Sequence, residues 1–168
     1  MTVLKMLEAA CLAVNSPDKA KRAEAEVVLD HFKRSPTAVE DSMALLSPAT
    51  PAVVLFYCVA TIRESTLKRW ALLTASQKAQ PLDGMMQFLW AHYGDLPPFV
   101  SGSMLQTIVL LMKRGWLERS ADEQLAVLRH IGSMMAENNG AADAGAETRR
   151  RLIAAKWIHA FVTEFSTG

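Results

Sequence analysis

Histidine is the side chain best suited to metal binding or to proton transfer near neutral pH. A metal site on helices needs imidazoles at a spacing that brings two of them onto one face, and no pair of the four histidines has that spacing. They lie one to a helical segment, at His31, His92, His130 and His159. We therefore expect no metal site.

Acids, bases and nucleophiles also fail to form a catalytic pattern. Glu40 and Asp41 adjoin Ser42, but no further group marks a triad. The sequence contains neither a glycine-rich phosphate loop nor a nucleophile elbow. We expect a protein that is not an enzyme and uses no cofactor. An all-α enzyme stays open as an alternative if histidine and carboxylate side chains converge in a cleft.

Charge and cysteine content further narrow the functional classes to which the protein can belong. A net charge of +1 gives no electrostatic reason to expect nucleic-acid binding. Cys11 and Cys58 lie in apolar helical patterns, which predicts small buried hydrophobic residues in a reducing compartment. Residues 42–62 carry no charge over the length of a membrane span, but Pro48 and Pro51 interrupt them, so we expect no membrane insertion. The N-terminus lacks the pattern of a secretory signal.

The strongest structural signal is residues 50–73, which read as one helix that is apolar on nearly every side. No charge occurs between residues 52 and 62, and then Arg63, Glu64, Lys68 and Arg69 follow together. A helix that is apolar all round must be covered from several directions. In a short chain, a stack of helical hairpins provides that cover, because each hairpin lies between its neighbours.

Apolar spacing and cap signals divide the chain into eight helical segments. We place them at about residues 3–14, 17–33, 37–46, 50–73, 81–93, 99–114, 120–137 and 147–165. Long helices recur every roughly 35 to 50 residues, which overlaps the period of HEAT and armadillo arrays. The predicted fold is all-α: an α-solenoid of about four HEAT-like hairpins in a right-handed superhelical array that covers residues 1–168.

Proline after a capping residue marks several helix starts. Ser16 and Thr50 are predicted N-caps, with Pro17 and Pro51 at the first helical position. Pro81 is predicted to open the fifth helix.

The end of the sixth helix and the start of the seventh are also marked. Gly115 follows a basic pair and is predicted to be a C-cap. Ser120 and Glu123 form a predicted capping box for the seventh helix.

Four stretches, in order along the chain, carry a resemblance to a known family. Residues 25–36 read AEVVLDHFKRSP, similar to the family pattern A-E-x-x-L-x-x-F-R-K-S-P. Residues 54–70 begin VLF, pass through Glu64 and end KRW; residues 113–115 read KRG; and residues 158–167 read IHAFVTEFST. Together they resemble the N-terminal region of the importin-β (karyopherin) superfamily, most closely exportins of the exportin-4 type.

The resemblance implies a nuclear transport receptor built from many HEAT repeats that shuttles between nucleus and cytoplasm. Such a receptor binds the small GTPase Ran in its GTP form, carries protein cargo and passes through nuclear pores by contacts with nuclear pore proteins. Residues 1–168 would be the N-terminal array of a much longer chain. The inner, second helices of its hairpins would be residues 17–33, 51–73, 99–114 and 147–165.

Polar residues that follow an apolar stretch on an inner helix would line the concave face, where their charges can complement those of a GTPase surface. The residues predicted to face Ran on this basis are Glu64, Ser65, Lys68, Arg69, Lys113 and Arg114. An alternative for each one is a solvated helix end without a partner. An alternative for the whole chain is a helical-repeat interaction scaffold unrelated to nuclear transport, because fold does not by itself fix function.

Overall fold

A computed structural model describes residues 2–136 and 144–166 of the chain. This described part contains α-helices and one short 3₁₀ turn, Trp70–Leu72, and no strand. The helices are α1 (Val3–Ala13), α2 (Lys19–Arg34), α3 (Ala38–Ala44), α4 (Ala52–Arg69), α5 (Ala75–His92), α6 (Pro98–Trp116), α7 (Ala121–Ala136) and α8 (Ala144–Ser166). The predicted all-α helical-repeat fold is confirmed. None of these helices combines the length and apolarity that a bilayer span requires.

Consecutive helices pack as hairpins: α1 with α2, α3 with α4, α5 with α6, and α7 with α8. The second helices also pack on one another, α4 against α6 and α6 against α8, so that they form a row of inner helices. The first hairpin joins this row differently, because α1 packs more closely on α4 than α2 does. The right-handed superhelical twist stays a prediction.

The apolar helix of residues 50–73 is confirmed in its central part. In α4 the side chains of Val59 and Ile62 are fully buried, in α6 so is that of Met104, and all three belong to one core cluster. Burying an aliphatic side chain of this size contributes about 1.5–3 kcal/mol. The contact between α4 and α6 therefore supplies much of the free energy that holds the array together.

A smaller cluster fills the space where α1, α2 and α4 meet, and both cysteines belong to it. Cys11 and Cys58 are free thiols and buried, which confirms their assignment as buried hydrophobic residues. Burial raises the pKa of Cys11 to about 11 and that of Cys58 to about 12. Both thiols therefore stay protonated at neutral pH in the folded protein.

The prediction that Pro81 opens the fifth helix is wrong. The helix begins earlier, at Ala75, and Pro81 lies buried inside it. Its start is set by a capping box, in which the Gln77 N–H donates to the Thr74 hydroxyl at 3.2 Å and the Thr74 N–H donates to the Gln77 side chain at 3.0 Å. These bonds satisfy backbone donors that a helix leaves unpaired at its N-terminus. Proline has no backbone N–H, so one helical hydrogen bond is missing at Pro81, and the burial of Pro81 offsets that loss.

Two further predicted caps are also corrected. Asp18, not Ser16, caps α2, because its carboxylate accepts the Ala20 N–H at 2.9 Å. Thr50 does not cap α4; its hydroxyl donates to the Leu45 carbonyl at 2.8 Å and ties the preceding turn together. The capping box of α7 is confirmed, because the Ser120 N–H donates to the Glu123 carboxylate at 2.8 Å.

α4 ends at Arg69 rather than at residue 73, and the chain turns there through Trp70–Leu72. The buried Trp70 ring joins the second hairpin to the third. Its indole N–H donates to Glu118 Oε1 at 2.7 Å, and Lys78 Nζ donates to Glu118 Oε2 at 2.8 Å. The same ammonium lies 4.9 Å from the centroid of the Trp70 ring. One indole, one carboxylate and one amine thus connect the ends of α4 and α6 with the start of α5.

The prediction that Gly115 is a C-cap is wrong, since α6 continues through it to Trp116 and no described glycine has a positive φ. Gly115 is instead a point of close packing: a Cβ placed there would lie 3.0 Å from Cζ2 of Trp70. Glycine at this position lets the indole lie directly on the backbone of α6.

The two glycines of α6 provide a matched test of this close packing. We expect Gly102→Ala to raise the free energy of unfolding by about 0.5–1 kcal/mol, because Gly102 is exposed with nothing near its Cβ position. Gly115→Ala gains the same helix propensity but presses on a ring that two polar contacts hold, which costs about 1–3 kcal/mol. We therefore expect Gly115→Ala to be less stable than Gly102→Ala in urea titrations; equal gains by both would contradict the close contact.

Glu118 makes the stability of its contact with Trp70 and Lys78 depend on pH. The hydrogen bonds from Lys78 and then from Trp70 lower the pKa of Glu118 below 4.5. A carboxyl whose pKa is lower in the folded state stabilises the fold above its unfolded pKa, and this contribution is lost as pH falls through the folded pKa. We expect Glu118→Gln to be less stable than the parent at pH 7, with a difference that shrinks as the pH is lowered past 4.5 towards 3. A difference that is constant with pH in urea titrations would contradict this role.

Candidate partner-binding face of the inner helices

The end of α2 lies beside α4 and is held there by one aromatic contact and one hydrogen bond. The Phe32 and Tyr57 ring centroids are 6.2 Å apart, and the Tyr57 hydroxyl donates to the Leu29 carbonyl. Phe32 is buried in the cluster shared with α1. This packing brings the polar last turns of the two helices next to each other.

A groove of about 590 Å³ lies between these last turns and the start of α3. Four of the six residues predicted to face Ran line it: Glu64, Ser65, Lys68 and Arg69. The facing wall comes from the end of α2 and the turn after it, with Asp30, Lys33, Arg34, Ser35 and Pro36. We call this space the α2–α4 groove.

Part of the charge in the α2–α4 groove is already paired. Lys33 and Glu64 form an ion pair across it, and Arg34 pairs with Asp30 at 2.9 Å within α2. The exposed Lys68 side chain has no ion pair or hydrogen bond to the rest of the described chain. The pairing leaves the groove with an excess of positive charge, in which Glu64 serves to position Lys33 across it.

Arg69 closes the groove at the α3 side. Its guanidinium donates to the Pro36 carbonyl at 3.4 Å, a contact that leaves most of its N–H donors unused. Arg69 and Lys68 are both exposed and adjacent in sequence. A surface of this kind suits acidic side chains on a protein partner.

The structure does not bring Lys113 and Arg114 into this groove. They lie in the last turn of α6, and Lys113 Nζ donates to the Glu164 carbonyl at 2.5 Å, with the carboxylate at 3.5 Å. Lys113 thereby joins α6 to α8. The rings of Phe161 and Phe165 stack on each other and meet the Trp116 ring edge-on, which reinforces this contact. Arg114 is exposed beside it.

Sequence reasoning missed two features of the inner helices. The exposed rings of Phe56 and Phe99, near the starts of α4 and α6, lie 5.8 Å apart between centroids. Further along the same helices a second groove, of about 400 Å³, is lined by Arg63 and Gln106 together with residues of α8. The signal that could have found it is that Gln106 is a polar residue in the mostly apolar centre of α6, and that Arg63 comes directly after the apolar stretch of α4.

The described histidines do not form a group: one of them, His159, shares a groove with a single carboxylate, that of Glu164. His92 contacts the Phe88 ring at 5.0 Å between centroids, and His159 lies at the second groove. The His130 side chain lies outside the described residues. Within the described part, no three His, Cys, Asp or Glu side chains are grouped so that they could hold a metal ion.

Comparison with known proteins identifies the family. A family model described as Exportin-4 matches residues 1–168, the whole chain. Exportin-4 from Dictyostelium discoideum is 24% identical over 122 residues, which cover 71% of this chain and 11% of the relative. The chain thus spans about a tenth of the length of the curated relative it matches. Because the family match extends over every helix described above, the chain belongs to the exportin-4 family.

Proposed function

We propose that the chain is the N-terminal HEAT-repeat array of a nuclear export receptor that binds Ran in its GTP form and supports transport of protein cargo through nuclear pores. The observation that carries this proposal is the family match over residues 1–168. The row of inner helices supports it, because a continuous face of parallel helices can contact a partner over several repeats.

The α2–α4 groove gives the proposal a physical mechanism. Lys68 and Arg69 would contact acidic side chains on the GTPase, while Lys33 and Glu64 hold the shape of the groove. A single exposed ion pair is worth only about 0.2–1 kcal/mol, so recognition of Ran needs several such contacts along the face. Dependence on the bound nucleotide would come from a switch segment that presents its charges correctly in one state only.

The function involves no chemistry on the partner and no cofactor. Cargo proteins and nuclear pore proteins are proposed as further partners, and shuttling between nucleus and cytoplasm as the cellular behaviour, from family membership alone. The role proposed for this array is to contribute part of the Ran-binding surface of a longer receptor.

The direct test is binding of the full-length polypeptide that carries this array to Ran loaded with a non-hydrolysable GTP analogue or with GDP. We expect binding to the GTP form only. The double variant Lys68→Glu, Arg69→Glu should weaken it by about tenfold or more, because it replaces attraction by repulsion at two adjacent positions. Arg129→Glu, an exposed change on α7, is the control and should have little effect.

Two results would count against the proposal in different ways. Binding that is absent, or equal for the two nucleotide states, would contradict the receptor function and favour an unrelated helical-repeat scaffold. Nucleotide-dependent binding that the double variant leaves unchanged would keep the receptor function and exclude the α2–α4 groove as a Ran contact.

A further inference from the structure

The second groove, which we call the Arg63 groove, crosses the row of inner helices where α4, α6 and α8 lie side by side. Its volume is about 400 Å³, and its polar walls are Arg63 from α4, Gln106 from α6, and His159, Thr163 and Glu164 from α8. It is separate from the α2–α4 groove, since the two share no lining residue.

The register of α4 and α6 explains why Arg63 points into this groove. Phe56 and Phe99 contact each other near the starts of the two helices. Two helical turns further along each helix, on the same face, are Arg63 and Gln106. Both line the groove, Arg63 half-buried and Gln106 exposed.

Arg63 is the unusual residue of this groove. Its guanidinium keeps its charge at every physiological pH and carries five N–H donors in a planar fork. Although half-buried, it forms no hydrogen bond or ion pair with any other residue in the described part of the chain. Removing a cation partly from water without a counter-charge is unfavourable, and an anion in the groove would remove that cost.

The surrounding groups limit which anion fits. Glu164 also lines the groove, and the Lys113 ammonium, 3.5 Å from its carboxylate, offsets part of that negative charge. The other polar groups of the wall, among them the Gln106 amide and the His159 imidazole, can act as hydrogen-bond donors. A single guanidinium can neutralise an anion with one charge but not a doubly charged phosphate, so the groove favours a singly charged anion.

We propose that the Arg63 groove binds one carboxylate, from an aspartate or glutamate side chain of a protein partner. The guanidinium of Arg63 pairs with both carboxylate oxygens, in the planar geometry that arginine and carboxylate share. Gln106 and His159 flank this pair and add hydrogen bonds. The proposal does not rest on nuclear transport, because it concerns the ligand chemistry of the groove and holds for any partner with an acidic side chain in reach.

The test is a nuclear magnetic resonance titration of the ¹⁵N-labelled 168-residue chain. The probes are the capped peptides acetyl-Gly-Glu-Gly-amide and acetyl-Gly-Gln-Gly-amide and, separately, inorganic phosphate. We expect the glutamate peptide to produce saturable shifts of the Arg63 Nε–Hε signal and the Gln106 side-chain amide. The glutamine peptide should produce none, and phosphate should bind more weakly than the glutamate peptide.

Matched variants distinguish binding in the Arg63 groove from general effects of charge. Arg63→Gln should weaken binding of the glutamate peptide at least fivefold, and Arg63→Lys should give an intermediate loss, because lysine keeps the charge without the fork. Arg129→Gln on α7 should change nothing, and the spectrum of each variant shows whether it is folded. Absent shifts, equal shifts with both peptides, tighter binding of phosphate, or unchanged binding by folded Arg63→Gln would each overturn the proposal.

Discussion

Two neighbouring helices, α4 and α6, are apolar on nearly all sides, and water has to be excluded from both at once. Each is covered by the first helix of its own hairpin, and the two cover each other. Fully buried side chains such as Val54, Ile62 and Met104 on these helices contribute about 1.5–3 kcal/mol each, which outweighs any surface ion pair of the molecule. The row of inner helices is a consequence of this need for cover. Once the row is formed, most charged side chains of α4 and α6 lie on the surface that is left and near the helix ends, and the two grooves lie there.

Much of the fold could be predicted from sequence because its signals are local. The uncharged stretch within α4 and the Ser120–Glu123 capping box each act over a few residues, and both are confirmed. The errors arose where a local signal competes with a distant contact. Pro81 indicates a helix start, yet it lies inside α5 because the Thr74–Gln77 box begins the helix earlier. Gly115 indicates a helix end, yet it serves the approach of Trp70, a partner 45 residues away that no local pattern reveals.

The residues predicted to face Ran show the same difference between local signals and distant contacts. Glu64, Ser65, Lys68 and Arg69 meet in one groove because they share the last turns of one helix, a relation that sequence spacing determines. The contact of Lys113 with Glu164 could not be predicted, because Glu164 lies on another hairpin. Arg63 immediately precedes Glu64 in sequence and faces a different groove, since one residue turns a helical side chain by about 100°. Which neighbouring helix receives each side chain depends on the register between hairpins, and this register is set by packing, for example by Phe56 against Phe99.

Mutual cover of α4 and α6 is the central claim, and native-state hydrogen exchange of backbone amides tests it most directly. Amides at residues 54–62 and 104–112 should be the slowest to exchange in the described part of the chain, with opening free energies that approach that of global unfolding. Amides of α1 and α7, which lie outside the α4–α6 contact, should exchange faster through local opening. If the amides of α4 and α6 exchange as fast as those of α7, the two helices do not form the shared core, and the account of both grooves fails with it.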